Sequence, residues 1–289
     1  MTFTITLLAA AFLLQAPAAI KFDSNRAWEH LRQLVAIGPR PAGTPAIDQS
    51  RKYITSQLAA IGVNVVEQTW DDQTPLGPLR MVNLIATIPG ASKNRLVIAS
   101  HYDTKRFREF RFVGANDGGS STAFLLELAR VLKARPNAVT MTLLFLDGEE
   151  AVVEWTGQDH TYGSRHFVEV EKRNGTIASL KAMVLVDMIG DRDLQIKRDT
   201  NSTPWLTDVI WDAARLQKQT SVFQPLTAQI EDDHIPFLEA RIPSVDIIDL
   251  EYQPWHTAQD TLDNVSARSL QTVGDVLIAA LPAIESRVK

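Results

Sequence analysis

Short apolar runs with strand character alternate with longer amphipathic stretches through most of this chain. That alternation constrains the fold more than any other feature of the sequence. The runs lie at 63–68, 81–88, 96–100, 140–146, 182–189 and 244–250. Helical patterns at 120–134 and 204–217 separate some of them, and another, at 266–281, follows the last run and is expected to stop at Pro282. Two helices precede the first run. Asp23 or Ser24 can cap one that ends before Gly38-Pro39, and Thr44-Pro45 gives a second its N-cap and first-turn proline, with Gly62 closing it. Parallel neighbours need crossover connections, and the crossovers cover both sheet faces. The expected fold is therefore α/β, a single domain with a mostly parallel central β-sheet flanked by helices on both faces. No repeat, low-complexity tract or Pro/Ser linker divides it.

A length of 289 residues suits one such domain, and 45% hydrophobic with 22% charged residues allows a sizeable core. The net charge is −5 with no basic cluster, which argues against nucleic acid or an anionic membrane surface as partner. There is no cysteine, so disulfides, thiolate zinc sites and a cysteine nucleophile are excluded. At the N-terminus, Ile5 to Leu14 is an apolar run followed by the small-x-small pattern Ala16-Pro17-Ala18. About ten residues cannot span a bilayer but fit the core of a secretory signal, despite the lack of Lys or Arg before it. A signal peptide over 1–19, a catalytic domain over 20–289 and a secreted or periplasmic protein are expected. The alternative is an amphipathic or buried first helix.

The residues able to do chemistry sit just past the strand-like runs. His101 and Asp103 follow one, Glu149 and Glu150 another, Asp187 ends a third, and Trp255-His256 follows the last. Open α/β sheets build their sites outside the carboxyl ends of strands, so these segments should converge. Singly each has an ordinary explanation. A lone His is more often structural than ligating, Asp117 in Asn116-Asp117-Gly118-Gly119 reads as a turn or helix cap, and adjacent glutamates are often a solvated pair. His30, His160 and His166 have nothing convergent around them and are read as structural. Together, His101, Asp117, one of Glu149 and Glu150, Asp187 and His256 form a nitrogen/oxygen donor set suited to zinc, with the other glutamate free to move protons. A serine hydrolase is disfavoured, since no Gly-x-Ser-x-Gly elbow occurs.

The order His101-x-Asp103, Asp117, Glu149-Glu150, Asp187, His256 resembles the M28-type zinc aminopeptidase clan. Two further segments resemble the glutaminyl-peptide cyclotransferases within it. One runs from Asp147-Gly-Glu-Glu-Ala through Trp155 and Gln158-Asp159 to Tyr162-Gly-Ser-Arg-His166. The other is Glu231-Asp-Asp-His-Ile-Pro-Phe237 with Pro254-Trp255-His256-Thr257. The resemblance implies a zinc enzyme acting on peptide or protein N-termini, converting N-terminal Gln to pyroglutamate with release of ammonia. Asp117, Glu150 and His256 would hold one zinc per chain, and Glu149 would be the general acid/base. Asp187 and Asp232 would form a hydrogen-bonded acidic pair beside it, while Trp155, Trp255 and Tyr252 would meet the substrate. His101 and Asp103 would be retained without binding metal. The chain departs from the animal enzymes in having Asp246 where they carry a histidine, and Tyr252 in place of a phenylalanine. The alternative from a different mechanism is an aminopeptidase with two zinc ions, Asp117 bridging them and His101 and Asp187 completing the second site. A non-catalytic peptide-binding domain fits less well, because the whole acid/base set is intact. A monomer, with no membrane attachment after processing, is expected.

Overall fold

Alternate side chains along each central strand enter different cores, and this is how one sheet is covered on both faces. In the computed structural model, residues 21–289 are described, and the signal-peptide expectation lies outside them. The main sheet contains β1 (Val65–Thr74), β2 (Gly77–Ile88), β3 (Ser92–His101), β4 (Val139–Leu146), β5 (Leu180–Asp187) and β8 (Ser244–Ile248). On β3, Leu96 and Ile98 join the larger core while Val97 and Ala99 join the smaller; on β5, Val184 and Val186 face one way and Met183 and Leu185 the other. Helices α1 (Ser24–Ile37), α3 (Ser121–Lys133), α5 (Pro204–Leu216) and α7 (Ala267–Val288) cover the larger core, through Leu31, Phe124, Leu206 and Val273 among others. Phe167 of α4 (Tyr162–Arg173) and Phe237 of α6 (Ile235–Glu239) close the other face.

The strand order is β1-β2-β4-β3-β5-β8. The β4/β3, β3/β5 and β5/β8 pairs are parallel, whereas β1/β2 and β2/β4 are antiparallel. The sheet is thus mixed, with a parallel centre and an antiparallel hairpin added at one edge. The reason is local. Residues 75–76 between β1 and β2 are too few for a crossover, so the second strand must fold back on the first. From β3 the chain moves to β4 on one side; from β5 it moves towards β8 on the other. The switch point therefore lies between β3 and β5, where an α/β sheet opens a crevice.

Both expected helix starts are present. The Asp23 side chain accepts from Asn25 N–H, and Thr44 caps α2 (Pro45–Ala60), with Pro45 in its first turn. The expected stop at Pro282 is not observed, because α7 continues to Val288. Beyond the proline, Ile284 and Val288 still bury against the larger core, and that burial opposes the backbone hydrogen bond the proline removes. A separate two-stranded sheet of β6 (Ile196–Asp199) and β7 (Phe223–Ala228) was not visible in the sequence pattern. Its strands are short, and much of β7 is solvent-exposed.

Candidate active site

Glycine flexibility shapes the first wall of the site. Between β3 and α3 the chain makes a wide turn over Ala115–Ser120, with Asp117 at extended backbone angles and Gly118 at φ 72°. A Cβ at Gly118 would lie 2.5 Å from the Asp103 carbonyl oxygen, so the turn tolerates no side chain there. Asp117 is consequently no simple helix cap: its buried carboxylate points into the crevice, with Oδ1 3.3 Å from His101 Nε2 and Oδ2 3.3 Å from His256 Nε2.

Two carboxylates outside the expected site brace the loops that carry it. Asp103 accepts the backbone N–H groups of both Glu149 and Glu150, each at 3.3 Å. Asp260 accepts those of Asn116 (2.7 Å) and Asp117 (3.1 Å). Asp103 had been expected only as a retained residue, and Asp260 had not been singled out at all. No signal marked Asp260 beyond its place four residues after His256. Arg40, fully buried, adds a clasp: its guanidinium donates to the carbonyls of Tyr102, Val113 and Gly114, at 2.5–2.9 Å, and so ties together the two ends of the loop between them.

The expected residues Asp117, Glu149, Glu150, Asp187, Asp232, Trp155, Trp255 and His256 line one cavity of about 420 Å³. Two groups of candidate metal ligands occur among the described residues, Asp117/Glu150/His256 and His101/Asp117/Asp187, each with its donor atoms within 4.8 Å of one another. They differ in what their atoms already do. In the first, Asp117 Oδ2 and Glu150 Oε1 are buried with no hydrogen-bond partner, and each stands 3.3 Å from His256 Nε2. Buried carboxylate oxygens without partners are costly, and a divalent cation satisfies them. In the second, Asp187 Oδ1 accepts the N–H of Met188 (2.7 Å) and lies 3.1 Å from His101 Nε2. Asp187 Oδ1 thus already carries a backbone hydrogen bond, which neither orphaned oxygen of the first group does. The donor chemistry and the orphaned oxygens both fit a metal at Asp117/Glu150/His256.

The electrostatics follow from burial. Desolvation drives the Glu149 carboxyl well above the usual range, with the charges of Asp232 and Glu150 acting in the same direction and His101 opposing. Glu150 is raised to about 7 by burial and by Asp117. Burial also pushes Asp232 far up, aided by the Asp187 charge. Asp187 Oδ1 accepts the N–H of Met188 and Asp232 Oδ1 that of Asp233, and the Asp187 charge acts on Asp232. Asp246 is buried on β8, both its oxygens lack a hydrogen-bond partner, and burial with the Asp232 charge holds its carboxyl well above the normal range.

The two tryptophans differ in support. Trp155 stacks on His160 at 4.2 Å, which gives that histidine a role in the wall, and Trp255 stacks on His256 at 4.4 Å. Tyr252, expected at the substrate, does not line the cavity. Its ring is buried with Met188, Ile230 and Ile248, and its hydroxyl donates to Asp260 Oδ1 at 2.9 Å. It therefore stands behind the wall and steadies the Asp117 loop through Asp260. Tyr252→Phe is expected to destabilise the fold by about 1.5–3 kcal/mol, the range for a hydrogen bond to a charged group, read as a lower denaturant midpoint. Lys105 and Glu231 also line the cavity. They lie inside or beside the recognised strings, yet a single charged side chain gave no sign of facing inward.

The class that this fold and crevice define is Peptidase family M28, which matches residues 83–281. The mouse (Mus musculus) glutaminyl-peptide cyclotransferase-like protein is 32% identical over 293 residues, spanning 90% of this chain and 76% of that protein. The glutaminyl-peptide cyclotransferase of Drosophila melanogaster is 30% identical, over 94% of this chain and 84% of the other. Among solved structures, an Acidobacteriales bacterium glutaminyl cyclase superposes with a TM-score of 0.89 at 38% identity, covering 97% of this chain and 100% of that one. The chain belongs to Peptidase family M28 and, within it, to the glutaminyl-peptide cyclotransferases.

Proposed function

We propose that this chain is a zinc-dependent glutaminyl-peptide cyclotransferase, which closes the N-terminal glutamine of a peptide or protein into pyroglutamate and releases ammonia. The observation that carries the reading is the gathering, in one cavity, of Glu149, Asp232 and two tryptophans around the orphaned oxygens of Asp117 and Glu150. One zinc ion, held by Asp117, Glu150 and His256, supplies a Lewis acid for the γ-amide oxygen. Glu149, its carboxyl pushed up by burial, is placed in the cavity to exchange a proton with the substrate. It relays a proton from the attacking α-amine to the departing amide nitrogen. One carbon–nitrogen bond forms at the γ-carbon and another breaks there, so no water is consumed. Amine and amide belong to the same residue, and the work of Trp155 and Trp255 is to hold that side chain folded back. Asp232, its carboxyl pushed up by burial and by the Asp187 charge, lines the cavity with Glu149.

A two-zinc aminopeptidase is the second reading, favoured by the His101/Asp117/Asp187 group that shares Asp117 with the first. The backbone hydrogen bond that Asp187 Oδ1 already carries weighs against it. Peptides beginning with Gln should yield ammonia and a cyclised N-terminus. Free N-terminal amino acids with no ammonia would reverse the ranking. The apolar run at residues 5–14 supports export, to a secreted or periplasmic location. Among the described residues no helix is long and apolar enough to cross a membrane.

A further inference from the structure

His256 is an unusual histidine in two respects. Its backbone sits at φ 54°, in the left-handed region that favours glycine, and three aromatic rings surround its imidazole. The surroundings of a metal-binding histidine fix the ring's rotation, commonly through a carboxylate, carbonyl or water on its second nitrogen. Aromatic neighbours can add to that restraint. Trp255 stacks on it at 4.4 Å, while Phe107 and Phe112 meet it edge-on at 5.7 Å and 5.8 Å, with interplanar angles of 72° and 89°. Edge-to-face contacts of this kind are directional, so two of them on one ring restrict its rotation.

We propose that Phe107 is a positioning residue for His256, part of an aromatic clamp that holds the imidazole aimed at Asp117 and Glu150. Phe112 is almost wholly buried, so its removal would open a cavity in the loop, and Trp255 lines the substrate cavity. Phe107 is only half-buried, and it also stacks on Phe110 at 4.5 Å and meets Phe112 edge-on at 5.3 Å. It is the clamp member whose replacement opens the least buried space. Its place in the loop tied at both ends by Arg40 gives the clamp a fixed base.

The inference rests on the proposed zinc site, and the experiment separates the two. Zinc affinity is measured by competition with a chromogenic chelator for the unaltered protein, Phe107→Ala, Phe107→Leu and Phe107→Tyr, alongside the melting of each metal-free protein. The expected result is tight binding in the unaltered protein and a loss of roughly 10–100-fold in Phe107→Ala, the range for partners of metal ligands. Phe107→Tyr should restore most of that affinity and Phe107→Leu, which keeps bulk without a ring edge, should not. Metal-free melting of the leucine variant should match the unaltered protein; if the alanine variant does not fold, the Leu/Tyr comparison carries the test. Equal zinc affinity in the leucine and tyrosine variants overturns the clamp. Weak zinc binding in the unaltered protein overturns the metal site on which the clamp depends.

Discussion

Glu149→Gln is expected to lower turnover of an N-terminal-Gln peptide by roughly 10²–10⁴-fold, the usual contribution of a positioned acid/base. The zinc content should stay unchanged. The side chain loses its ability to exchange protons but keeps its size, in a pocket that excludes water and so drives the carboxyl upward. Glu150→Gln is the control. Its oxygen is one of the two buried orphans facing His256, so the amide should weaken metal binding itself. Single-turnover assays beside elemental analysis read the pair of effects. Equal metal loss in both variants would mean that the roles of the adjacent glutamates are wrongly divided.

The second large effect concerns how many ions the crevice holds and which histidine keeps them. After dialysis the unaltered protein should carry one zinc, His256→Ala should lose it and His101→Ala should retain it. The basis is the contrast between engaged and orphaned donors: His101 is committed to Asp187, whereas His256 faces two carboxylate oxygens with no other partner. The ion would join segments around residues 117, 150 and 256 that are far apart in the chain. At free zinc near 100 times its dissociation constant, binding adds about 2.7 kcal/mol to the stability of the folded state. Chelation should therefore lower the melting temperature of the unaltered protein and leave that of His256→Ala nearly unmoved. Two tightly bound ions per unaltered chain would instead favour the aminopeptidase.

Much of this was legible in the sequence because strand ends announce themselves. Apolar runs stop at polar residues, and Asp187 and the glutamates 149 and 150 just past Leu146 line the crevice, with His101 set against Asp187. Helix starts at Asp23 and Thr44 were readable because capping is local chemistry. What stayed hidden depended on three-dimensional neighbours. Tyr252 looks the same in sequence whether its hydroxyl meets a substrate or Asp260. The backbone N–H groups that Asp187 and Asp232 accept are presented only by the folded loops. Pro282 should have ended a helix by propensity, and the apolar surface beneath it overrode the rule. Strands β6 and β7 carry no clear alternation, because little of β7 is buried.

That small second sheet has an evolutionary implication. The crevice floor comes from the loops of the large sheet, but Gln229 to Asp232 enter the cavity directly after β7, on a segment that belongs to neither edge of it. A wall segment placed in this way lies outside the hydrogen-bonded ladder of the large sheet, so its length and charge can differ between descendants. A lineage could then keep its metal-ligand floor and acquire a different reaction by replacing one wall.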